Sequence, residues 1–120
     1  MKGTIQQRSF DFAVRIVSLY QYLVETKKEF ILAKQILRSG TAPRALIREA
    51  QNAESTRDFL HKLAVAQKEC DEAIYWLQLL FASDLLSARE FDSIHKESVE
   101  LLKMIRSAIL TTKRKMKADY

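Results

Sequence analysis

The chain has 120 residues, a net charge of +5 and 48% apolar residues, which suits one domain with a core of its own and excludes a disordered chain. Two glycines and one proline are too few for the turns of an all-β fold, so the composition predicts long helices. Cys70 is the only cysteine, which excludes an internal disulfide and points to a reducing compartment.

The first predicted helix covers about residues 9–25. Ser9 is expected to cap it and Asp11 to complement its positive end. Its apolar residues include Phe10, Phe12, Val14, Ile16, Val17, Leu19, Leu23 and Val24, more than one stripe. Thr26-Lys27-Lys28 is a short polar break.

The second helix is predicted over 29–52. Leu32, Ile36, Ser39, Pro43, Ile47 and Ala50 recur at three- and four-residue steps and share a face. Pro43 removes an interior backbone donor at a cost of roughly 3 kcal/mol, with Gly40 three residues upstream. Because the apolar phase survives the proline, one kinked helix is expected rather than two split near Thr41.

The third helix is predicted over 55–82, from Ser55 as N-cap with Asp58 three residues on. Phe59, Leu63, Cys70, Ile74, Leu77 and Phe81 trace its core face. From Ala73 to Ala82 it carries one polar side chain, Gln78, and so is apolar on nearly every side. The fourth helix, over 88–115, opens with Ser87 and Glu90 at capping-box spacing. Phe91, Ile94, Leu101, Leu102, Ile105, Ala108 and Ile109 form its stripe. Acids fill its first half and bases its second, complementing the helix dipole.

Four long helices with short links predict an all-α, antiparallel up-and-down four-helix bundle, a single domain over 1–120 with residues 1–8 and 116–120 expected to fray. Met1–Gln6 lacks the apolar run of a signal peptide, and no stretch nears the roughly 20 apolar residues of a membrane span. A soluble, cytoplasmic protein without membrane contact is expected. The apolar excess of the first and third helices predicts a homo-oligomer, with Tyr75, Trp76 and Leu79 as candidate interface residues.

Arg38-Ser39-Gly40-Thr41, Ile47-Arg48-Glu49-Ala50-Gln51, Ser55, Asp58-Phe59, His61-Lys62-Leu63, Ala66, Lys68-Glu69, Glu72 and Tyr75-Trp76-Leu77 resemble the bacterial four-helix-bundle family encoded in intervening sequences of 23S ribosomal RNA genes. The likeness runs from about Phe10 to Ile109 and is most specific between Phe59 and Leu77. It implies a ring-shaped homopentamer, with no enzyme activity established, and kinship with the basic accessory variability protein of diversity-generating retroelements. Where the family often has Ser-Ile-Gly-Ala-Asn, this chain has Ala42, Pro43, Arg44, Ala45 and Leu46.

For function, Lys34, Arg38, Arg44 and Arg48 fall within an arc of roughly 120° opposite the core face of the second helix. They are candidates for RNA or ribonucleoprotein contact, as are Lys113, Arg114 and Lys115 near the C-terminus. No aromatic residue interleaves with either set, so phosphate contact rather than base stacking is expected. Asp58-x-x-His61 and Asp92-x-x-His95 are spaced like metal pairs, but they start consecutive antiparallel helices and so lie roughly 30 Å apart. No metal, cofactor or catalytic residue is expected, and Cys70 reads as a core residue. A scaffold that binds a protein partner and no nucleic acid is the alternative.

Overall fold

The computed structural model describes residues 3–118, and these form four helices: α1 (Ile5–Glu25), α2 (Ile31–Gln51), α3 (Thr56–Ala82) and α4 (Ala88–Ala118). Each packs against its sequence neighbours, and α1 also packs against α4. This closes an antiparallel up-and-down four-helix bundle in which α1 and α3 stand on one diagonal and α2 and α4 on the other.

Local chemistry sets the ends of the helices. Ser55 Oγ accepts from Asp58 N at 3.0 Å. At α4 the capping box is reciprocal: Glu90 N donates to Ser87 Oγ at 3.1 Å and Ser87 N to Glu90 Oε1 at 2.8 Å. The backbone donor of Ser87 holds the Glu90 carboxyl below the usual carboxylate range. Before α2, the Glu29 carboxylate takes this part from outside the helix by accepting from Leu32 N and Ala33 N.

The start of α1 departs from expectation. Thr4, not Ser9, is the N-cap, and its hydroxyl accepts from Gln7 N at 3.1 Å. Ser9 lies a turn inside, buried, with its hydroxyl donating to Gln6 O at 3.1 Å. Residues 5–8 and 116–118 are therefore helical where fraying was expected; Met1, Lys2, Asp119 and Tyr120 lie outside the described residues. Ser9 has the chemistry of a cap, but Thr4 offers the same chemistry one turn earlier and adds a hydrogen-bonded turn.

One core unites the four helices: Phe12, Ile16 and Leu23 from α1, Ile36 and Ile47 from α2, Leu63, Leu77 and Leu80 from α3, and Leu101 and Ile105 from α4. Each such side chain contributes roughly 1.5–3 kcal/mol of burial. Of the expected core residues, Phe59, Leu32 and Phe91 are half-buried. Phe81 is 38% exposed and stacks on Phe91 with ring centroids 4.6 Å apart. It turns toward the α3–α4 edge, where a second ring covers one of its faces.

α2 runs unbroken through Pro43, which is itself buried. Gly40 has a role that its spacing from the proline does not reveal. A Cβ there would lie 2.6 Å from Ile16 Cγ1 and 2.8 Å from Ile16 Cγ2. Only glycine lets α2 approach α1 this closely, and Ile16, fully buried and branched at Cβ, has nowhere to yield. Replacing glycine by alanine within a helix gains up to about 1 kcal/mol of propensity. Overpacking costs about 1–3 kcal/mol and outweighs it here. Gly40→Ala is therefore expected to lower the thermal midpoint by several degrees in a circular-dichroism melt; an unchanged or raised midpoint would show that this contact is slack.

Candidate nucleic-acid interface

The bundle distributes the expected basic residues unevenly. Lys34 is exposed in the first turn of α2, and Arg38 lies one turn further on. Arg38 reaches across to α3: Nη1 donates to Glu69 Oε1 at 2.9 Å, and Nη2 to Glu72 Oε2. Glu72 Oε2 also accepts the Trp76 indole N–H at 3.0 Å. Desolvation opposes the Arg38 charge, but its hydrogen bond to Glu69 and the charges of both carboxylates outweigh it and raise its pKa. Arg38 thus clamps α2 to α3, with two acids matched to its one positive charge.

Arg44 and Arg48 lie two to three turns below Arg38. Arg48 is exposed, and half-buried Arg44 donates to Gln51 Oε1 at 3.4 Å. This end of the bundle also receives the start of α3 and the end of α4. A shallow depression there is lined by Ala50 and Gln51 of α2, Glu54 of the link, Ser55 and Phe59 at the head of α3, and Thr112 of α4. Lys113, Arg114 and Lys115 follow Thr112 directly, all exposed, and Arg57 is exposed in the first turn of α3. From residue 103 to 118, α4 carries Lys103, Arg106, Lys113, Arg114, Lys115 and Lys117 and no acid. The structure therefore brings Arg44 and Arg48 to the same end as Lys113, Arg114 and Lys115. Lys34 is left roughly 15–20 Å away along α2. Among the described residues, Lys34, Arg44, Arg48, Arg57, Lys113, Arg114 and Lys115 stand in no ion pair, whereas Arg8, Arg15, Arg38 and Lys62 do.

Of the expected interface residues, Tyr75 is 53% exposed. Trp76 is half-buried, with its indole held by Glu72 and its ring edge-on to Tyr75 at 4.9 Å. Leu79 is half-buried too. The bundle thus covers more of α3 than its composition suggests. The larger apolar surface is on α1, where Phe10, Val14 and Val17 are 54%, 50% and 41% exposed. They repeat at i, i+4 and i+7, a second stripe out of phase with Phe12, Ile16, Leu19 and Leu23. That phase was the signal in the sequence.

A cleft of about 380 Å³ opens between α1 and the start of α4, lined by Val14, Leu19, Tyr22, Leu86 and Ile94 with Arg15 and Glu90 at its rim. Both rim charges are engaged within the chain, Arg15 by Glu97 at 2.6 Å and Glu90 by its cap. Asp58 serves the head of α3, His61 is exposed, and His95 stacks on Phe91 at 4.7 Å. Among the described residues, no three His, Cys, Asp or Glu side chains group as a metal site would require. No described helix is long and apolar enough to cross a membrane.

The comparisons with known proteins agree with this architecture. The sequence model described as "23S rRNA-intervening sequence protein" matches residues 1–107. The chain belongs to that family. A crystal structure of a protein of unknown function from the S23 ribosomal protein family, from Bacteroides thetaiotaomicron, is 46% identical in sequence. It superposes with a TM-score of 0.87, covering 88% of this chain and 98% of that one. No curated protein matches the chain. The intervening-sequence family resemblance read from the Arg38–Leu77 motifs is thus confirmed over most of the chain.

In this member of the family, Cys70 is fully buried, and its Sγ lies 3.6 Å from Ser98 O. Burial, aided by the nearby Asp71 charge, pushes the thiol up to about 12. A thiolate is the reactive form, so Cys70 is inert while the bundle is closed. Labelling of the native protein by an aromatic disulfide reagent is expected to be about a thousandfold or more slower than in denaturant. Rapid labelling of native protein would contradict this packing.

Proposed function

We propose that the chain is a non-enzymatic, cytoplasmic member of the intervening-sequence family that assembles from copies of itself and holds RNA phosphates on its basic end. The observation that carries the RNA reading is the placement of Arg44, Arg48 and Arg57 toward the same end of the bundle as Lys113, Arg114 and Lys115, on an α4 segment without acids. Bases from three helices at one end can track a phosphate backbone, and assembly would repeat the set on every copy. The absence of aromatic residues from this set favours backbone over base recognition. The family resemblance sets the expected assembly at five copies. Support for a non-catalytic role comes from the buried thiol and from cleft charges already engaged within the chain.

A second reading, a scaffold that docks a protein partner and makes no use of nucleic acid, draws on the exposed Phe10, Val14 and Val17. The two readings differ in their response to salt. For a short fluorescent RNA, the logarithm of affinity is expected to fall linearly with that of salt concentration. Arg48→Ala and Arg114→Ala should each flatten the slope by about 1, because each removes roughly one phosphate contact. Arg38→Ala should change the slope far less, because Glu69 and Glu72 already match that charge. An affinity insensitive to salt and to Arg48 and Arg114, or no RNA binding, would favour the scaffold reading.

A further inference from the structure

We propose that the cleft between α1 and the start of α4 is a binding site for a compact, uncharged molecule of one or two rings that carries a single hydroxyl or N–H group. Such a site lies in the other half of the bundle from Lys113, Arg114 and Lys115 and requires neither RNA binding nor self-assembly.

The cleft has a cause in the sequence. On α1 the row that faces α4 reads Arg8, Arg15, Ser18 and Tyr22. The two arginines reach across to Glu100 and Glu97 of α4, at 2.7 and 2.6 Å. Ser18 is too short to do so, and α4 there offers the apolar Ile94 and the link offers Leu86. The helices therefore part above the Arg15–Glu97 pair, and the space of about 380 Å³ opens. Leu19, Leu86 and Ile94, all buried, form its floor.

Size and shape limit the occupant. Small-molecule sites run from roughly 300 to 1,000 Å³, so this one stands near the lower bound and suits one or two rings. The Arg15–Glu97 pair crosses the cleft at one end, which stops an extended peptide or a helix from running along it.

Charge and hydrogen bonding set the polarity of the occupant. Arg15 is matched by Glu97. Glu90 accepts from Ser87 N at 2.8 Å and feels the charge of Lys27, whose Nζ lies 5.9 Å from the centre of the Tyr22 ring. The rim thus has no surplus charge to meet an ionic ligand. What it leaves open is neutral. Among the described residues, the hydroxyls of Ser18 and Tyr22, one turn apart on the α1 lip, have no hydrogen-bond partner. The buried serines Ser9, Ser39 and Ser98 instead each donate to a carbonyl of their own helix. Ser18 and Tyr22 can therefore hold one polar group of a ligand whose ring lies on Leu19, Leu86 and Ile94.

The probe is indole, titrated into the isotope-labelled full chain and followed by backbone amide spectra. Saturable shifts centred on residues 14–22 and 86–94 are expected. Ser18→Phe puts a ring into the cleft from an exposed position and should weaken binding by about tenfold or more. Tyr22→Phe should weaken indole about two- to tenfold, the value of one hydrogen bond, and leave 1-methylindole, which lacks the N–H, unchanged. Indole-3-acetate and tryptamine, which add a negative and a positive charge, should bind about tenfold more weakly than indole. Circular-dichroism melts without ligand check that both variants fold. No saturable binding to the wild type, or binding indifferent to Ser18→Phe, would overturn the site. A charged probe that binds as tightly as indole, or a Tyr22→Phe variant that treats indole and 1-methylindole alike, would overturn the assignment to an uncharged, hydrogen-bonding ligand.

Discussion

A helix in a four-helix bundle buries one stripe, and whatever apolar surface lies outside that stripe must face water or another molecule. Most of this structure follows from how the four helices meet that limit. α2 and α4 largely keep to it, with core faces around Ile36 and Ile47 and around Leu101 and Ile105, and with outer faces that are charged apart from the exposed Ile31 and Leu110. α3 nearly keeps to it, because Trp76 and Leu79 fold against the bundle and Phe81 shares its edge with Phe91. α1 does not. It bears a buried stripe of Phe12, Ile16, Leu19 and Leu23 and, roughly opposite, an exposed one of Phe10, Val14 and Val17. Gly40 draws α2 tightly onto the buried side of α1, and among the described residues the other side is left exposed at Phe10, Val14 and Val17.

The charges follow a separate logic. Acids gather in the first half of α4 and bases in its second, in line with the helix dipole. Arg8 and Arg15 of α1 pair with Glu100 and Glu97 in that acidic half, and the hydrogen bond from Arg8 holds Glu100 below the usual carboxylate range. Across the bundle, Arg38 ties α2 to Glu69 and Glu72 of α3. The acids near mid-height are largely matched in this way, and among the described residues Arg44, Arg48, Arg57, Lys113, Arg114 and Lys115, toward the end where α4 finishes, stand in no ion pair. The apolar side of α1 and the basic end of the bundle are therefore distinct surfaces, suited to protein and to phosphate respectively.

Features that depend on a few neighbouring residues were legible in the sequence. The Ser55 and Ser87 caps, the helical phase through Pro43 and the family motifs from Arg38 to Leu77 all rest on short spacings. What distant helices supply was hidden. Lys34, Arg38, Arg44 and Arg48 share a face on a helical wheel, but a wheel does not show the two glutamates of α3 that meet Arg38. It also does not show that Arg44 and Arg48 lie toward the same end of the bundle as Lys113, Arg114 and Lys115. Gly40 looked like a companion of Pro43 because only the fold brings Ile16 against it. Sequence alone points to Ser9 as the cap of α1 because Thr4 lies outside the apolar pattern that marks the helix. The apolar excess of α1 was countable from its composition. Which of its residues face outward follows only once Phe12 and Ile16 are fixed as the core face.

The central claim is that the outward stripe of α1 is covered by another copy of the chain. Sedimentation equilibrium of the wild-type protein at micromolar concentration tests it most directly. The account predicts a mass that is a whole multiple of the 13.9 kDa chain, falling toward that of one chain on dilution. A single species of 13.9 kDa at every concentration would contradict it.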